Sequence, residues 1–126
     1  RVLFWGFAKY GITGFLHWGF NQFPVQMDPF VGTSCYNPTG IGTNFPCGDA
    51  FIVYPGKDEP WLGMRLEAQR QGAEDVMLLK ILQEKHPEKA EALIGQVFES
   101  NTKYMEEPDK FETVYEELLR SLEDLR

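Results

Sequence analysis

The chain has 126 residues, of which 43% are hydrophobic and 25% charged, and its net charge is -7. That length and composition suit one modest core, and no apolar run reaches the ~20 residues a membrane span needs. The acidic balance repels phosphate backbones and excludes nucleic acid as a general partner.

The chain opens at Arg1 in the apolar stretch RVLFWGFAKY, with no polar leader and no cap. This is expected of a chain cut from a longer one, so the sequence assigns no compartment. Residues 1–10 read as a helix buried on most sides, closed by Gly11 in the left-handed conformation. Residues 12–21, ITGFLHWGFN after Gly11, are apolar on both faces and read as a strand covered on both sides, as in parallel sheets and barrels. Residues 22–48 hold Gly, Pro, Asn and Thr without period and read as one long loop, of a length that is usually functional or disordered. Residues 50–54, AFIVY, read as a second short strand.

Character changes near Met64. Residues 1–64 carry 10 of the 12 Gly, 6 of the 8 Pro and all three Trp, whereas residues 65–126 carry 15 acids against 9 bases. The second part therefore reads as three helices. Residues 65–85 have an apolar side at Leu66, Ala73, Met77, Leu78, Leu79, Ile81 and Leu82, an Arg70–Glu74 pair at i, i+4, and a mid-helix Gly72 that implies close packing. Residues 88–105 follow Pro87, with a stripe of Ala90, Leu93, Ile94, Val97 and Phe98. Residues 109–125 follow Pro108, with Asp109 and Glu112 at capping-box spacing.

Few residues carry chemistry. Asp58 and Glu59 are adjacent carboxylates, but PGKDEP is a proline-bounded turn with nothing apolar to raise a pKa, so a solvated turn is expected. Glu74 and Asp75 point about 100° apart on a helix and read as a solvated face. Cys35 and Cys47 bracket the long loop; in an oxidising compartment a bridge would stabilise by about 3 kcal/mol, and in a reducing one they are two thiols. No Cys-x-x-Cys or paired His accompanies them, so no metal and no cofactor is expected. His17 reads as a hydrogen-bonded structural histidine and His86 as exposed. Trp18, Asn21, Asp49 and Tyr54 remain. Aromatic faces stack on sugar rings while an amide or carboxylate takes the hydroxyls, yet a Trp at a strand end also serves as core, and the residues alone leave both readings open.

Four phrases in order carry a resemblance: GFLHWGFN, DPF, GDAFIVYPG and MRLEAQRQGAEDV. Over roughly residues 1–82 the chain resembles the C-terminal part of the domain-of-unknown-function family 4091, which is similar to the catalytic barrel of glycoside hydrolase family 123. It departs from that pattern at Ala50, Gly63 and Val76, which bear on site walls. The resemblance implies an α/β protein: the last helix-strand-helix portion of a TIM (β/α)8 barrel plus two further helices, α+β as an isolated fragment, with two short strands in all. It implies a β-N-acetylhexosaminidase type of hydrolysis in which Trp18, Asn21 and the following loop stand at the strand end where barrel sites lie, so that together with Asp49 and Tyr54 they are the expected wall of the sugar site. The family's adjacent Asp-Glu pair would lie upstream of Arg1, so this chain alone is expected to be inactive. The alternative is a non-catalytic carbohydrate-binding or interaction module. In either case the apolar strand needs covering, by the rest of a barrel or by self-association.

Overall fold

A computed structural model describes residues 1–23, 28–32, 34–35 and 44–125, with the side chains of Ser34 and Cys35 left out. Backbone contacts divide the chain into two compact units, residues 1–15 with 69–126, and residues 16–68.

The first unit is helical. Helix α1 (Val2–Tyr10) ends where Gly11 takes φ 64°, its N–H turned back to the carbonyls of Phe7 and Ala8, as the sequence predicts. Helix α2 (Met64–Lys85) starts in the other unit and enters this one. Gly72 has its expected cause: a Cβ there would stand 2.5 Å from the Phe4 ring of α1. The Arg70–Glu74 ion pair also forms. The buried side of α2 keeps only part of the predicted stripe, however. Leu79 and Leu82 are buried, Met77 and Ile81 are exposed, and Asp75 is buried. Pairing overrode polarity at Asp75, as described below.

Helix α3 (Pro87–Val97) starts at its proline and buries Ala90, Leu93, Ile94 and Val97, the stripe read from sequence. It stops eight residues before the predicted end at 105. The chain instead folds into a hairpin of Phe98–Ser100 and Lys103–Tyr104. The local reason is Ser100, whose Oγ accepts from the Thr102 N–H and holds the turn, a side-chain bond that competes with the helix. Helix α4 (Pro108–Glu123) has Pro at its first turn and Glu107 at the N-cap position, so the capping box placed at Asp109 and Glu112 does not form. The core collects Trp5, Leu79, Leu82, Leu93, Val97, Phe98, Phe111 and Leu118 from all four helices and the hairpin.

The second unit is loops and short hairpins. Residues 12–21, of which 12–15 belong to the first unit and 16–21 to this one, contain no regular strand, contrary to expectation: Asn21 makes one isolated bridge to Phe51, and Phe20 O accepts from the N–H groups of Ile52 at 2.9 Å and Val53 at 3.4 Å. A strand apolar on both faces needs layers on both faces. Here Leu16 is 88% exposed and Phe20 is exposed too, so the covering layers expected on both faces are not met there, whereas the half-exposed Phe15 packs its ring against Phe4 and Phe7 at centroid distances of 6.0 and 5.4 Å. Within the predicted 22–48 loop, β1 (Ser34–Cys35) pairs antiparallel with β2 (Phe45–Pro46); residues 24–27, 33 and 36–43 of that loop lie outside the described residues. The 50–54 strand shrinks to β3 (Val53–Tyr54), paired with β4 (Trp61–Leu62) across the PGKDEP turn. Ala50 and Phe51 are fully buried instead as the unit's small core, with Phe23, Phe45 and Tyr54 against them.

Among the described residues there are thus four helices and three two-stranded sheets, where two strands were expected. The mixture is that of an α+β fragment.

Candidate functional site

The functional candidates of the sequence fall in residues 16–68, and the Gly48–Asp49 turn organises them. Gly48 takes φ 79°, a conformation open to glycine, and it swings Asp49 toward the residue 17–18 segment. The Trp18 indole Nε1–H donates to Asp49 Oδ2 at 2.7 Å, and the His17 Nε2–H donates to the Asp49 carbonyl at 2.6 Å. His17 is therefore a hydrogen-bonded histidine. Trp18 also packs on Phe45, with ring centroids 5.3 Å apart.

A second wall lies along the β3–β4 hairpin. Asp28 forms a turn, its Oδ1 accepting from the Phe30 N–H at 2.9 Å, and so presents the Phe30 ring. Phe30 stacks on Tyr54 at 5.2 Å and meets Trp61 edge-on at 5.7 Å. Pro29, Phe30, Cys47, Tyr54, Trp61 and Leu62 are among the residues lining an open groove of about 350 Å³. Phe30 is 53% and Trp61 58% exposed, so ring faces are available to a ligand. Polar edges are few: the Tyr54 hydroxyl, the Cys47 thiol and the nearby Arg65 guanidinium, which donates to Tyr54 Oη at 3.4 Å and to the Cys47 carbonyl at 3.3 Å.

Of the predicted residues, Trp18 and Asp49 are joined directly and Tyr54 stands on the groove wall. Asn21 is exposed and committed through its backbone to the Phe51 bridge. Cys47 is an exposed free thiol donating to the Gly32 carbonyl at 2.6 Å; the Cys35 side chain, and with it the bridge, lies outside the described residues. Asp58 and Glu59 are exposed in their turn. Sequence reading missed Trp61 and Arg65 as site residues, and Phe30 beyond its place in a phrase. An aromatic three residues before a helix, in the Pro60-Trp61-Leu62-Gly63 stretch bounded by proline and glycine, was the available signal for Trp61. Among the described residues no group of His, Cys, Asp and Glu is spaced to hold a metal ion.

Phe30 and Trp61 thus offer exposed ring faces with few polar edges around them, on a small α+β scaffold. A family model described as glycoside hydrolase 123, catalytic domain, matches residues 1–82. The chain belongs to that family. No curated protein matches it.

Proposed function

We propose that the chain supplies a sugar-binding wall of a β-N-acetylhexosaminidase-type glycoside hydrolase, with the catalytic acid pair on a part of the domain outside these residues. The observation that carries this reading is the exposed aromatic groove at Phe30, Tyr54 and Trp61, which lies wholly within the residues matched to a glycoside hydrolase catalytic domain. In this reading Trp18 and Asp49 continue the wall, and residues 1–82 are the last helix-strand-helix portion of a (β/α)8 barrel of the family 4091 type. The exposed apolar Leu16 and Phe20 support that placement, because neighbouring barrel strands would cover them. The exposure of Asp58 and Glu59 in a turn supports a catalytic pair elsewhere.

The test is binding of short N-acetylglucosamine and N-acetylgalactosamine oligomers by NMR titration, together with assay of aryl N-acetylhexosaminides. Binding in the millimolar range, lost at least about ten-fold in Trp61→Ala and without turnover by the chain alone, is the expected result. No binding by the unmodified chain, or equal binding by Trp61→Ala, would refute the reading. A non-catalytic sugar-binding module is the second reading, favoured by those same exposed carboxylates; turnover by a longer protein carrying this chain, lost in Trp61→Ala, would exclude it.

A further inference from the structure

We infer that Arg65 is a positioning residue that ties the Trp18–Asp49 wall to the Phe30–Tyr54 wall. The inference rests on the sugar-site reading for its meaning, and on geometry for its substance. The Arg65 guanidinium lies over Gly48, where any Cβ would collide with its Nη2, Cζ and Nη1 atoms. From there it donates to the carbonyl of Cys47, the residue before Gly48, and to the Tyr54 hydroxyl of the second wall. The turn it grips is the one whose Asp49 holds both His17 and Trp18. One cation therefore connects Trp18, through Asp49 and Gly48, with Tyr54 and its stacking partner Phe30.

Helix stability does not account for Arg65. A cation in the first turn of α2 opposes the helix dipole, and Glu67 is the acidic residue of that turn. Each hydrogen bond is long, so neither alone fixes the geometry, but a planar fork reaching two acceptors while packed closely on a glycine does. A lysine carries the charge without the fork. Arg65 does not touch Trp18, so any effect on Trp18 must pass through the turn.

The test uses the whole 126-residue chain labelled with ¹⁵N, with the Trp18 indole resonance assigned through Trp18→Phe. In Arg65→Gln, and more weakly in Arg65→Lys, the Trp18 Nε1–H resonance is expected to shift and exchange faster with solvent while the far-ultraviolet helical signal is unchanged. Affinity for an N-acetylglucosamine oligomer should fall about ten-fold in Arg65→Gln, the worth of one or two hydrogen bonds, and adding Tyr54→Phe should move the Trp18 resonance of the free chain little further. An unmoved Trp18 resonance, or resonance shifts that add independently in the double variant, would overturn the inference. If Arg65→Gln does not fold, Arg65→Lys carries the same resonance test. If the unmodified chain binds no sugar, the proposed function fails, while the Trp18 resonance still decides whether Arg65 positions the turn.

Discussion

Replacing Asp75 with alanine tests the centre of the helical unit. Its side chain is 1% exposed and takes three donors: Arg1 Nε at 2.8 Å, Arg1 Nη2 at 2.9 Å and Trp5 Nε1 at 2.9 Å. Trp5 is fully buried and stacks edge-on against Phe111 at 5.6 Å, so its N–H has no solvent to turn to. Stranding that donor costs about 1–3 kcal/mol, and breaking a buried ion pair by removing one partner costs about 3–5 kcal/mol. The upper figure is too large here. The Arg1 side chain keeps 18% exposure, lies over the Tyr115 ring at 4.1 Å and is 3.5 Å from Glu112, so it retains partners. Burial alone would lower the Arg1 guanidinium pKa, but the hydrogen bond and charge of Asp75 outweigh it and the pKa is raised; the cation therefore persists at every ordinary pH. A loss of about 3 kcal/mol is expected, which at a urea slope of about 2 kcal/mol/M moves the midpoint down by about 1.5 M. Asp75→Asn, which keeps one acceptor, should lose less. Urea unfolding followed by the helical circular dichroism signal reads both. A loss under about 1 kcal/mol in Asp75→Ala, at an unchanged slope, would refute the view that this carboxylate organises the unit.

Gly72→Ala should destabilise despite a helix-propensity gain of about 1 kcal/mol, because its Cβ would meet Phe4 at 2.5 Å; a rise in melting temperature would show that α1 can yield. Leu93→Ala removes a side chain that is 1% exposed and is expected to cost about 2–5 kcal/mol in the same urea experiment. The Lys110 ammonium donates to the Glu107 carboxylate at 2.9 Å and, by that bond first and its charge second, holds the Glu107 pKa below the usual glutamate range. With a lowered folded pKa, this contribution is complete above the ordinary glutamate value and is lost as pH falls through the folded one, so the first turn of α4 should fray on acidification. An NMR titration in which Lys110→Ala leaves the Glu107 midpoint unmoved would contradict that cause.

The sequence by itself determined the local elements that side-chain period and punctuation dictate. Helix α1 with its Gly11 stop, α3 with its Pro87 start and its stripe from Ala90 to Val97, and the meaning of Gly72 were all legible, because the signals lie within a few residues of what they control. Phrase order pointed to the glycoside hydrolase family, and GFLHWGFN and GDAFIVYPG did hold two residues that meet, Trp18 and Asp49. Tertiary structure decided the rest. A segment apolar on both faces has no pattern to say whether its covering layers are present, so residues 12–21 read as a buried strand yet stand largely exposed. Asp75 reads as one more helix acid, and only the arrival of Arg1 and Trp5 from about seventy positions away makes its burial tolerable. The groove is likewise a product of folding, since Phe30, Tyr54, Trp61 and Arg65 share no local period and converge through a turn at Asp28, a glycine at positive φ and a two-stranded hairpin.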